Sequence, residues 1–158
     1  SRPAWIKAAE TRHEQPLIGD IDRRLASMRT LRDAARTAYA KAGIADPLWD
    51  LDVAEIYEPV SYAELAWYEA LGFCADGEAG RLIDEGVTEM DGTLPVNPSG
   101  GVLSANPVGA SGVIRVAEAA KQVLGRAGEH QVAGVETALA TGYGVYAWAD
   151  ALVLGATP

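Results

Sequence analysis

A glycine-rich turn that runs straight into an amphipathic stretch constrains this chain more than any other feature. Asn106-Pro107-Val108-Gly109-Ala110-Ser111-Gly112 is followed by Val113, Val116, Ala117, Ala120, Val123 and Leu124 at helical spacing. That spacing predicts a helix over 109–125. The N–H groups of its first turn have no partner inside the helix, so this end can face an anion or a developing oxyanion. Two apolar stretches follow, 134–140 and 146–154, around Thr141-Gly142-Tyr143-Gly144, and both read as strands. The second is nearly all apolar, as a strand buried on both faces is.

Upstream, Leu51-Asp52-Val53-Ala54-Glu55-Ile56-Tyr57 alternates apolar and polar residues, which suits a strand. Pro59 breaks it, and Ser61 is an N-cap candidate for a helix over 62–71 that stops at Gly72. Residues 3–9 read as a short strand, 10–20 as a loop and 77–85 as a short helix. A longer helix is predicted over 21–42, with Leu25, Met28, Leu31, Ala35, Ala38 and Tyr39 on one face and Gly43 after it. Residues 86–101 hold Gly86, Gly92, Pro95, Pro98, Gly100 and Gly101 and form a long shaped loop, the kind of segment that often carries function. Strands alternating with helices predict an α/β layered domain. At 158 residues and 49% hydrophobic, the chain is one domain's worth, 1–158, and needs no disulfide or metal to build a core.

Charge and cysteine content narrow the function classes. The net charge is −9, so there is no global basic footprint and no nucleic-acid partner is expected. Arg23, Arg24, Arg29, Arg32 and Arg36 read either as a solvated helix face or as an anion-facing edge. Cys74 is the single cysteine, which rules out an internal disulfide and a Cys-rich metal site. No apolar run reaches the roughly 18 residues of a membrane span. The opening Ser1-Arg2-Pro3-Ala4-Trp5 lacks Met and the pattern of a signal peptide. The expectation is a cytoplasmic chain that is processed, trimmed or cut from something longer.

The wording of the loops goes beyond fold class. Asp52-Val53-Ala54-Glu55-Ile56, Ala63-Glu64-Leu65, Leu71-Gly72-Phe73-Cys74 and Gly77-Glu78-Ala79-Gly80-Arg81 occur in that order. Leu94-Pro95-Val96-Asn97-Pro98-Ser99-Gly100-Gly101 and Pro107-Val108-Gly109-Ala110-Ser111-Gly112 follow. Together they resemble the C-terminal half of the thiolase superfamily, nearest to the sterol-carrier or lipid-transfer type, from about Arg2 to Leu154. The resemblance implies a layered α-β-α half with a mixed five-stranded sheet. It also implies an oligomer acting on a CoA thioester as substrate, with no covalently bound cofactor. The nucleophilic Cys of the family lies in its N-terminal half, which this chain does not contain.

The family's remaining catalytic positions are altered here. Where the family has His-Asp-Cys-Phe or Asn-Glu-Ala-Phe, this chain has Tyr57-Glu58-Pro59-Val60. Where it has Gly-His-Pro, this chain has Ala105-Asn106-Pro107, and Thr141-Gly142-Tyr143-Gly144 lacks the family's second Cys. Claisen chemistry needs a thiolate, a base to form it and donors for the enolate oxygen. A site built on Tyr without Cys or His suits aldol-type cleavage better. Thiolase-like aldolases that shorten steroid side chains beside an OB-fold partner are the relatives this implies.

The expected catalytic residues are therefore Tyr57, Tyr143 and Asn106. Glu58, Ser99, Gly100, Gly101, Thr141 and Gly142 are expected to contact the substrate. Each has a structural alternative: packing for Tyr57 and Tyr143, turn initiation and helix capping for Asn106, and loop shape with close backbone approach for Ser99, Gly100 and Gly101. His13, His130 and Cys74 read as surface or structural residues. Two function classes remain open. One is an enzyme part completed by an N-terminal thiolase half or homologous thiolase subunit. The other is a non-catalytic scaffold or acyl-CoA-binding subunit. Alone, the chain is expected to aggregate or oligomerise, because a half-fold exposes the faces that pack on its mate.

Overall fold

The computed structural model describes residues 3–14, 28–144 and 148–158. In chain order the elements are β1 (Trp5–His13), α1 (Arg29–Ala42), α2 (Pro47–Asp50), β2 (Val53–Glu55), α3 (Ser61–Ala70), α4 (Ala79–Asp84), α5 (Gly101–Ser104), α6 (Ser111–Leu124), β3 (Thr137–Gly144) and β4 (Trp148–Gly155). The sheet order is β1-β4-β3-β2. β4 pairs antiparallel with both β1 and β3, and β2 runs parallel to β3.

The sheet is sandwiched by helices because its residues alternate between two apolar cores. Leu139, Ala149, Ala151 and Val153 point to one side and meet Leu31, Ala34, Ala35 and Ala38 of α1 together with Trp67 and Tyr68 of α3. Ala138, Ala140 and Leu154 point to the other side and meet Ala119 and Val123 of α6. Gly43 and Gly125 end α1 and α6 in the left-handed conformation, at φ 77° and 68°. A side chain is strained at such an angle, so glycine stops a helix cleanly there.

The α-β-α layering expected from the resemblance is what the chain adopts, but the described residues form four strands rather than five. The place beside β2 is taken by a single parallel bridge, Ala54 to Val96. It carries two hydrogen bonds, from Ala54 N–H to Pro95 C=O at 3.0 Å and from Asn97 N–H to Ala54 C=O at 2.7 Å. Pro95 has no N–H to continue a ladder, and Asn97 turns out of the strand region at φ 51°.

Other boundaries also shift. β1 continues to His13, through residues read as the start of a loop. The helix expected over 21–42 is described from Arg29 onward, and residues 15–27 lie outside the described residues. Thr141-Gly142-Tyr143-Gly144, read as a turn, is the end of β3, paired with Ala151 through Trp148. No helix among the described residues is long and apolar enough to cross a membrane.

Candidate functional site

The site forms where β2 ends and the 97–101 loop folds over it. Glu55 is completely buried in the last position of β2, facing Arg115 of α6, itself only 3% exposed. Arg115 Nη1 donates to Glu55 Oε2 at 2.8 Å and to Ser99 Oγ at 2.9 Å. Ser99 adds its own N–H and Oγ to the same carboxylate, at 3.1 and 2.7 Å. Burial pushes the Glu55 carboxyl above its ordinary range, against the opposing pull of Ser99 and Arg115.

Glu58 repeats this arrangement three residues on. Its carboxylate accepts from Asn97 Nδ2 at 2.6 Å and from the N–H groups of Val102 and Leu103 at 2.9 and 3.2 Å. Burial raises its carboxyl as well. Asn97 Oδ1 in turn accepts from Ile56 N–H at 2.7 Å. The loop is therefore fastened to the strand end at every turn. Gly101 adopts φ 63°, and a Cβ there would run into the Glu58 carboxylate.

Between these two carboxylates, Tyr57 takes a different direction. Its backbone N–H donates to the buried Thr141 hydroxyl at 2.8 Å, and Tyr57 lines a cavity of about 650 Å³. The floor of the cavity is the α6 side of β1, β4 and β3, including Ala9, Thr11, Leu152, Asp150 and Gly142. Tyr143 also lines it, although it stands in register with Ala149, on the α1 and α3 side of the sheet. Its wall is the first turns of α6 and the turn before it, with Val108, Gly112, Val113 and Val116. Tyr143 is held edge-on against Trp67, ring centroids 4.9 Å apart and planes at 66°. Among the described residues no His or Cys lines this space.

The structure thus gathers Tyr57, Tyr143 and Gly142 at one cavity. Thr141 lies beneath it, with its hydroxyl accepting from the Tyr57 backbone. Asn106 is not among the cavity's lining residues. It is exposed, and its Oδ1 accepts from Val108 N–H at 3.1 Å and Ser111 Oγ at 2.8 Å. Those bonds fold the entry to α6. Glu58, Ser99, Gly100 and Gly101 lie at the fastened loop, their polar groups turned toward β2 and α5. The described arginines of α1 face acids: Arg29 pairs with Glu14, Arg32 with Asp76 and Arg36 with Asp33. Burial pushes the Cys74 thiol up, away from the thiolate form.

Sequence reasoning missed Arg115, Glu55, Asn97 and Asp150. For Arg115 a signal was present: Ser111, Arg115, Ala119 and Gln122 are the buried stripe of α6. An arginine on a buried stripe requires a buried acid.

Chemically, the two phenols and the carboxylates of Glu10 and Asp150 on a largely apolar cavity can donate to an oxyanion and accept a proton. They offer no thiolate nucleophile.

A family model described as thiolase C-terminal domain-like matches residues 13–156. Sterol carrier protein 2 of Rattus norvegicus is 42% identical over 109 residues, which is 68% of this chain and 20% of that protein. An acetyl-CoA acetyltransferase of Methanothermobacter thermautotrophicus is 36% identical over 136 residues, 85% of this chain and 34% of that protein. Among solved structures, a chain of the Ltp2-ChsH2(DUF35) aldolase matches with a TM-score of 0.82 and 27% identity, covering 98% of this chain and 40% of that one. The chain therefore spans between about a fifth and two fifths of the length of these relatives.

Proposed function

The chain belongs to the thiolase C-terminal domain-like family, and from that premise we propose that it forms one half of a composite site for aldol-type cleavage. The substrate is a β-hydroxyacyl-CoA thioester, with a steroid or lipid side chain as the acyl class. An N-terminal thiolase half, or a homologous thiolase subunit, completes the site, and an OB-fold protein is a further partner. The observation that carries this reading is the placement of Tyr57 and Tyr143 on one cavity whose described lining has neither Cys nor His. The aldolase among the structural neighbours and the thiolase subunit BbsB of Thauera aromatica, 34% identical over 101 residues, support it.

The reaction uses the chain as follows. The thioester carbonyl lies toward Tyr57 and Tyr143, whose hydroxyls donate to its oxygen. As the bond between Cα and Cβ breaks, the electron pair moves onto that oxygen as an enolate, and the phenols stabilise the growing charge. The β-carbon leaves as an aldehyde or ketone. The shortened thioester forms when Cα is protonated. Both phenols work as donors because a tyrosine hydroxyl carries an O–H that can be shared with a developing oxyanion.

The test is co-expression with a thiolase-like or OB-fold chain, followed by assay for release of aldehyde and shortened CoA ester. The reading expects turnover that Tyr57→Phe and Tyr143→Phe together abolish. A tight complex that is inert toward every β-hydroxyacyl-CoA offered contradicts it and favours a scaffold or acyl-CoA-binding subunit.

A further inference from the structure

The proposed cleavage needs a base for the β-hydroxyl, and the two phenols are already engaged as donors to the thioester oxygen. Among the described residues that line the cavity, the carboxylates are Glu10 and Asp150. They are not equivalent. Glu10 pairs in register with Ala151, on the α1 side of the sheet. There its carboxylate takes Lys41 Nζ at 2.5 Å and Arg12 Nη1 at 3.1 Å. It is held by two cations and faces away from α6.

Asp150 sits on β4 opposite Gly142 on one side and Thr11 on the other, all three of which line the cavity. Its Oδ1 accepts from Thr11 Oγ1 at 2.6 Å and its Oδ2 from Trp148 Nε1 at 3.2 Å. Both donors are neutral, so they orient the carboxylate without pairing its charge. Gly142 makes room for it: a Cβ at that position would stand 2.9 Å from Asp150 Oδ2. Glycine inside a strand weakens the strand, and a close approach of this kind is a physical reason to keep one there. Strand and glycine together lay the carboxylate across the floor of the cavity, one strand over from Tyr143.

Resting on the reading under Proposed function, we propose that Asp150 is the general base for the β-hydroxyl. Asp150 takes the hydroxyl proton as the bond between Cα and Cβ breaks and the carbonyl forms at Cβ. The electron pair passes to the thioester enolate held by Tyr57 and Tyr143. The proton then leaves Asp150 for Cα, which restores the carboxylate and releases the shortened thioester. No other reactant enters.

The experiment uses the complex of this chain with its co-expressed partner, with β-hydroxybutyryl-CoA and butyryl-CoA as probes. Asp150→Asn is expected to lower kcat for β-hydroxybutyryl-CoA by about 100-fold or more with KM nearly unchanged, the usual scale for removing a general base. Wild type is expected to bind the hydroxylated ester about tenfold more tightly than butyryl-CoA, as a charged hydrogen bond to the hydroxyl would give. Asp150→Ala is expected to erase that preference while native mass spectrometry shows the complex intact. Turnover by Asp150→Asn within about threefold of wild type, or a hydroxyl preference that survives Asp150→Ala, overturns the proposal. A wild-type complex without turnover contradicts the cleavage reading instead. The role of Asp150 toward the hydroxyl is then decided by the binding preference alone.

Discussion

The two faces of the sheet are built from the same strands and end in opposite states. On the α1 face, Leu31, Ala34, Ala35 and Ala38 close over Ala149, Ala151 and Val153, all at or near zero exposure. On the α6 face, the helix covers β3 and β2 and leaves the same side of β1 and β4 as the floor of a cavity. Val108 and Val113 stand at its rim 72% and 73% exposed, and Trp148 46%. The closed face is self-sufficient. The open face has apolar rims and oriented polar groups, which is the pattern of a surface that awaits a mate and a ligand. Stability should therefore follow the closed face and the fastened loop, and activity the open one.

The largest expected effect is at the joint between them. Arg115→Leu leaves Glu55 buried without its cation and should cost about 3–5 kcal/mol in denaturant unfolding. Leu31→Ala, on the closed face, should cost about 3 kcal/mol by the same measurement. At the cavity, Tyr143→Phe should lower turnover of the assembled complex by about 100-fold while costing less in unfolding than Leu31→Ala. Asn106→Ala removes the acceptor that folds the entry to α6 and should cost about 1 kcal/mol. Val113→Ala should leave stability within about 0.5 kcal/mol but weaken partner binding in a titration. Equal stability losses at Val113 and Leu31 would erase the contrast.

The carboxylates also separate by pH. Burial holds Glu55 above its ordinary 4.5. Its contribution to stability is therefore full below 4.5 and is lost as pH rises through the folded value. Lys41 holds Glu10 below 4.5, so its contribution is present above 4.5 and is lost as pH falls. Unfolding curves across this range should show Glu55→Gln less sensitive than wild type to rising pH. Glu10→Gln should be less sensitive to falling pH.

Much of this plan is legible in the sequence where a single element carries its own pattern. The turn into α6, the Gly43 stop of α1 and the layered α/β order follow from spacing and caps. Features that depend on a distant partner are hidden. β1 runs on through Glu10, Thr11, Arg12 and His13 because β4 pairs with it, and no alternation announces that. Thr141-Gly142-Tyr143-Gly144 looks like a turn because glycine is read as punctuation. Here Gly142 clears space for Asp150, and pairing with β4 overrides the local preference. Glu55 and Arg115 meet across 60 residues, which local pattern does not reveal. Tyr57 and Tyr143 stood out as replacements of family residues, whereas Asp150 had no motif to mark it.

The central claim is that Tyr57 and Tyr143, brought to one cavity, replace thiol chemistry with donor catalysis. Its most direct measurement is single-turnover release of aldehyde and shortened CoA ester by the assembled complex. Wild type should be compared there with Tyr57→Phe and Tyr143→Phe combined. The account predicts release by wild type and none above background in the double variant, with equal binding of the CoA ester. Release by the double variant at the wild-type rate would contradict it.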